Sequence, residues 1–313
     1  MQRKANIERE IFALALSLAL LSGCGAAPAG QTAESGDPAE GGSAAENFGA
    51  LGAASVVSSA VEQLDFVLDS EEHSDRRAAE DGTELATYTY AIPVLHVETA
   101  NGQTLDSAAT AVQRQALDVA AAFNDTFAKW VESTDFPGFF TWAQEDYTMR
   151  QRDGQEWSAP YDETFTYTFW RTDALISVAG EYYSYAGGAH PNTVLLGWNF
   201  DLRTGRFIHP AVLGADTEEF QAAVTTEIIS QANQRAMESG YAPTEMFWED
   251  YQDIAAQWPE YAVSFTDEGM TVVFSPYELA AYAAGPQKFQ LGMDFLKPYL
   301  SEEGMDLLGL SEN

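Results

Sequence analysis

The sequence predicts an α+β fold, built from antiparallel sheets with two main packed helices. Three observations carry that prediction. Segments with side chains alternating at period two recur along the chain. Two long amphipathic stretches repeat at 3.6 residues and read as helices. The strands come in runs separated by helices, without the regular crossovers of a parallel sheet.

The first strand is Leu85 to Glu98, where Tyr88, Tyr90, Ile92 and Val94 alternate and Pro93 marks an edge or a bulge. The first helix follows, with Asp106 or Ser107 as its cap. Its inward face is Val112, Ala116, Val119, Ala120, Phe123, Phe127, Trp130 and Val131. Residues 163–208 read as an antiparallel meander. Phe165, Tyr167 and Phe169 alternate with threonines, Leu175 to Tyr185 returns, and Val194, Leu196, Trp198 and Phe200 alternate again. Asp216 caps the second helix with Glu219 as its capping-box partner, and Phe220, Val224, Ile228 and Ala232 point inward. A shorter helix is expected from Thr244 to Gln257, and a hairpin from Tyr261 to Phe274 turns through Asp267-Glu268-Gly269.

Ahead of these elements lies an address. Arg3, Lys4 and Arg9 precede an apolar run from Ile11 to Leu21, which is too short for a membrane span of about 20 residues but suits an export signal. Leu21-Ser22-Gly23-Cys24 then matches a lipobox, and Cys24 is the only cysteine of the chain. The expectation is a signal peptide over residues 1–23 and a lipid on Cys24. That lipid would anchor the protein on the outer face of the cytoplasmic membrane, in the bacterial cell envelope. Residues 24–58 then form a linker of Ala, Gly, Ser, Pro and acidic residues, too poor in apolar groups to offset its ordering entropy.

Charge and composition narrow the function. The 313 residues hold 48 acidic and 15 basic side chains, a net charge of −33. A phosphate backbone would be repelled, which argues against nucleic acid, whereas a cationic partner would be drawn in. A lone cysteine excludes a disulfide, and a thiolate metal site or cysteine nucleophile is not expected. No G-x-S-x-G, phosphate-binding glycine loop or H-E-x-x-H occurs, and His73, His96, His190 and His209 show no ligand spacing. Neither a metal nor a cofactor is expected.

One segment is built like a contact surface: Tyr182-Tyr183-Ser184-Tyr185-Ala186-Gly187-Gly188-Ala189-His190-Pro191-Asn192. Paired glycines allow backbone conformations closed to other residues, Pro191 sets the exit, and each tyrosine offers an apolar ring with a polar tip. The same residues also suit a structural hairpin whose tyrosines pack inward.

At this loop the chain resembles the extracellular region of the RsiV anti-sigma factors and the accessory region of the PdaC peptidoglycan deacetylases. The likeness rests on Gly187-Gly188-Ala189-His190-Pro191-Asn192, Asn199-Phe200-Asp201 and Thr204-Gly205. A second block supports it: Phe265 to Met270, Pro276-Tyr277-Glu278-Leu279, Tyr282-Ala283-Ala284-Gly285 and Leu296 to Leu300. The resemblance implies a two-part extracellular region, with an N-terminal α+β module over residues 59–187 and a C-terminal one over residues 188–313. It also implies binding of a lysozyme-like muramidase or of peptidoglycan. The chain departs from those families in showing neither a sigma-binding segment nor a deacetylase module.

The function expected is therefore a non-enzymatic envelope lipoprotein that binds a surface protein or glycan. Tyr183, Tyr185, His190, Asn192 and Tyr277 are its contact residues. The rival is an envelope hydrolase acting on peptidoglycan or a related glycan, with Glu181, Asp201 or His190 in acid–base roles.

Overall fold

The computed structural model describes residues 63–311. The signal segment, Cys24 and nearly all of the linker lie outside the described residues. From Leu64 onward the chain forms one compact unit. It is the predicted α+β class, with one six-stranded sheet and one three-stranded sheet.

The larger sheet runs in chain order: β1 (Leu64–Ala78), β2 (Glu84–Thr99), β3 (Tyr161–Arg171), β4 (Leu175–Tyr185), β5 (Asn192–Asp201) and β6 (Arg206–Phe207). Neighbours are antiparallel except β2 and β3, which pair in parallel from Ala86↔Tyr161 to Tyr90↔Phe165. The parallel step arises because two helices, not a turn, connect those strands. The division expected between residues 187 and 188 falls in the hairpin joining β4 to β5, two paired neighbours of this sheet.

Helices α1 (Ala111–Thr134) and α2 (Phe136–Arg152) cover one face of the sheet. In α1 the predicted stripe from Ala116 to Phe127 is buried against Leu95, Val97, Ile176, Val178 and Phe200, and Trp130 against Phe136 and Phe165. The cap is neither Asp106 nor Ser107 but Thr110, which forms a capping box with Gln113. That start places Val112 in the first turn, where it stays 56% exposed.

The sequence reading did not foresee α2, because Pro137-Gly138 looks like a breaker. Proline suits the first turn of a helix, whose N–H groups have no intrahelical acceptor. Asp135 ends one helix and starts the next in the left-handed conformation, φ 52°, and accepts the Gly138 N–H at 3.2 Å. β1 was also unforeseen. It is an edge strand, and its run of charges conceals any alternation.

The opposite face of β4 and β5 meets the second sheet, β7 (Ala262–Thr266), β8 (Gly269–Phe274) and β9 (Gln287–Gly292), in antiparallel order. Helix α3 (Thr217–Glu238) packs there as predicted, capped by Asp216 through the Glu219 N–H at 2.9 Å. Phe220, Val224, Ile228 and Ala232 are buried with Trp258, Phe265 and Phe289. The helix expected from Thr244 to Gln257 is two short ones, α4 (Pro243–Met246) and α5 (Tyr251–Ala256). Short helices α6 (Met293–Leu296) and α7 (Glu302–Leu307) close the chain.

A buried polar pin joins the two sheets. Ser177 of β4 donates to the Asn199 side chain of β5 at 2.8 Å and accepts the Phe265 N–H of β7 at 2.8 Å. Asn199 donates in turn to the Val263 carbonyl at 2.9 Å. Every polar atom in this set has a partner, as burial demands.

Candidate functional site

The tyrosine–glycine segment forms the end of β4, a hairpin and the start of β5. Gly187 and Gly188 take φ values of +70° and +129°, so the chain reverses through conformations that a side chain would resist. The Tyr185 hydroxyl donates to the Gly188 carbonyl at 3.4 Å and ties the hairpin to itself. His190 follows, exposed at the tip. Its Nδ1 lies 2.8 Å from the Pro191 carbonyl oxygen, which can only accept, so the hydrogen sits on Nδ1. Nε2, on the other side of the ring, is in hydrogen-bond contact with the Tyr277 hydroxyl at 3.2 Å.

Tyr277 comes from the turn after β8. The Tyr277 N–H donates to the Ala280 carbonyl at 3.1 Å and the Glu278 N–H to the Ser275 carbonyl at 3.0 Å. Ser275 fastens this turn to the larger sheet by accepting the Leu195 N–H at 3.0 Å. The Trp248 indole donates to the Tyr277 carbonyl at 3.0 Å. Between these bonds Tyr277 is held at φ 73°, an outlier for an aromatic residue, with half of its surface exposed.

A third ring completes the patch. Tyr282 stacks on His190 with centroids 3.8 Å apart and planes at 21°, and it lies 5.5 Å from the Tyr277 ring. Tyr183 borders this group. Burial pushes its hydroxyl pKa up, with Asp162, Tyr282 and Tyr185 adding to the shift. Glu278, partly buried beside Tyr277, is raised to about 7 by burial, against the opposing N–H of Ser275.

Of the expected contact residues, His190 and Tyr277 meet, with Tyr183 at the border. Tyr185 braces the hairpin behind them. Asn192 pairs opposite Ser184, whereas Tyr183 pairs with Thr193. Alternation therefore puts Asn192 on the other face of the sheet from Tyr183. Sequence reasoning missed Tyr282 and Trp248 as site residues. Tyr282 stood inside a noted block, but nothing local to it signals a ring under His190.

The carboxylates named for a hydrolase do not form a pair. Asp201 pairs with Leu175 and Glu181 with Leu195, six residues apart on β4, or roughly 20 Å. Asp201 is 2% exposed. Burial opposes its ionisation, yet the Arg203 hydrogen bonds, at 2.8 Å from N–H and 3.1 Å from Nε, hold its pKa below the usual value. Among the described residues, no three His, Cys, Asp or Glu side chains converge as a metal site requires.

Residues 215–294 match the model of the family described as a protein of unknown function, DUF3298, so the chain carries a DUF3298 domain. That stretch contains Tyr277 and Tyr282 but not His190. A solved DUF3298-family structure from Bacteroides fragilis NCTC 9343 is similar at 13% identity and a TM-score of 0.54, over 80% of this chain and 99% of that one. A DUF3298-family structure from Pseudomonas aeruginosa PAO1 matches at 12% identity and a TM-score of 0.45, over 78% and 97% of the two chains. No curated protein matches in sequence. These likenesses concern fold alone.

Proposed function

We propose that the chain is a non-enzymatic binding protein of the bacterial cell envelope. It is anchored through Cys24 and takes a cationic, lysozyme-like protein on the patch of His190, Tyr277 and Tyr282. The observation that carries this reading is the backbone of Tyr277. A residue held at φ 73° by surrounding bonds, with its ring displayed rather than buried, marks a position where presenting the side chain outweighs local strain. Exposed tyrosines with few rotatable bonds are effective anchors in protein interfaces. The net charge of −33 would speed encounter with a cationic partner without setting specificity.

The test is calorimetric titration of residues 48–313 with a c-type lysozyme at low and physiological salt, with muramidase activity followed in parallel. Saturable binding at physiological salt that His190→Ala or Tyr277→Ala weakens by about tenfold, roughly 1.4 kcal/mol, supports the reading. Binding that disappears with salt reports only the acidic surface. No binding to lysozyme, with binding to peptidoglycan fragments instead, reassigns the patch to a glycan.

A further inference from the structure

The pairing of β2 with β3 ends at Tyr90↔Phe165, yet both strands continue, β2 to Thr99 and β3 to Arg171. The sheet therefore splits and releases two inner edges, each of which could template a further strand.

The edge of β2 is closed by the molecule itself. The Asn124 side chain of α1 accepts the Leu95 N–H at 2.7 Å and donates to the Leu95 carbonyl at 2.8 Å, as a neighbouring strand would. Two residues on, the Val97 carbonyl accepts the Leu105 N–H at 2.8 Å. Two residues before Leu95, on the same edge by alternation, stands Pro93, which has no N–H to offer.

The main-chain edge of β3 has no such closure, although the Tyr167 hydroxyl reaches across the split to the Asp69 carbonyl of β1 at 3.3 Å. From Thr166 to Arg171 the strand pairs only with β4, from Thr166↔Glu181 to Arg171↔Ile176. Alternate residues of this segment direct both N–H and C=O away from β4. Among the described residues, no other backbone or side chain bonds to those groups. Clefts open on both sides, one of about 530 Å³ towards Ser70, Glu72 and Ala91, the other of about 540 Å³ towards Ser264, Asp267 and Glu268. Phe169 lines both and is 47% exposed. The segment's one cation, Arg171, is turned onto the Phe66 carbonyl at 2.6 Å, so the carboxylates of Glu72, Asp267 and Glu268 dominate the walls.

We infer that the free edge of β3 at Thr166–Arg171 is a docking site for an extended, basic segment of a partner protein, which adds as a strand. Main-chain bonds supply the register, the two clefts receive alternate side chains, and the acidic walls select lysine and arginine. The site is separate from the aromatic patch. The hairpin that carries His190 leaves β4 at Tyr185, which pairs with Asp162, whereas the free edge runs to Arg171, opposite Ile176.

The probe is a seven-residue peptide of alternating lysine and valine, titrated into residues 48–313, with amide hydrogen exchange read residue by residue. The expected result is slowing of alternate amides within Thr166–Arg171 by about tenfold or more. The same peptide N-methylated at every residue loses its backbone N–H donors and sets methyl groups against the strand edge, so it cannot pair and should give no slowing. Phe169→Lys should weaken binding by about fivefold, because lysine on an edge opposes both pairing and a cationic ligand. His190→Ala should leave it unchanged, so failure here and failure at the aromatic patch are distinguishable. No slowing at millimolar peptide overturns the inference, as does equal binding of the N-methylated peptide. Protection of the same amides without peptide, in a concentration-dependent dimer, also overturns it by showing that a second copy occupies the edge.

Discussion

A Cβ placed on Gly197 would lie 2.4 Å from the carbonyl oxygen of Val263. The two sheets therefore approach backbone to backbone at this point, where β7 crosses β5. Glycine is required because the obstacle is main chain and cannot rotate aside. Gly197→Ala is expected to destabilise the fold by about 2 kcal/mol or more, by forcing the sheets apart. Urea unfolding would show a lower midpoint with an unchanged slope.

Tyr277 offers a test that separates backbone strain from side-chain function. Tyr277→Ala removes the ring but leaves a Cβ at φ 73°, whereas Tyr277→Gly removes both the ring and the strain. The glycine variant should be more stable than the alanine variant by about 1 kcal/mol, measured by urea unfolding. Both should lose binding at the patch equally. If the glycine variant unfolds earlier than the alanine variant, the backbone is not strained there.

Glu163 gives the fold a pH dependence. It is 4% exposed, and its Oε1 accepts from Tyr182 at 2.6 Å and Ser184 at 3.3 Å, while its Oε2 has no partner. Burial lifts its pKa from 4.5 to about 7 despite those two hydrogen bonds. Between these values the native state holds a proton that the unfolded chain has released. Stability therefore falls as pH rises through that window, and the full penalty stands above it. The cost from Glu163, for a shift from 4.5 to about 7, is about 3 kcal/mol. Glu278 acts in the same direction over the same window. Glu163→Gln should flatten the decline by about half when unfolding is followed from pH 5 to pH 8. An unchanged pH profile in this variant would rule out Glu163 as its source.

Asn124 is expected to carry more weight than a helix-surface amide usually does. Asn124→Ala leaves the Leu95 N–H and carbonyl without partners on a partly buried edge, at a cost of about 2 kcal/mol. Hydrogen exchange at Leu95 should accelerate beyond the change in global stability. A uniform loss across all amides would show instead that the bond contributes only to the whole.

Periodicity made much of the fold legible. The stripes of α1 and α3 and the alternation in β3, β4 and β5 are recorded in sequence because one face of each element is buried continuously. Where burial is discontinuous or local signals conflict, the record fails. β1 alternates poorly because much of both its faces is exposed, and Pro137-Gly138 concealed a helix start as a stop. Pro93 read as an edge or a bulge, and the edge it stands on exists only because β2 parts from β3 beyond Tyr90.

The site divides along the same line. Local sequence determined the hairpin itself, since Gly187, Gly188 and Pro191 restrict the chain whatever surrounds them. The pairing of Tyr183 with Thr193 follows from that turn. Tertiary structure alone decided that His190 meets Tyr277 and Tyr282. That meeting depends on β7 crossing β4 and β5 through the Ser177–Asn199 pin, and on Ser275 holding the second turn to Leu195. The bonds that cross between the elements join residues 64 to 88 positions apart, and no window of neighbouring residues contains both partners. Sequence periodicity reports which face of an element is buried. Which residues of distant elements then touch is set by how the buried faces dock.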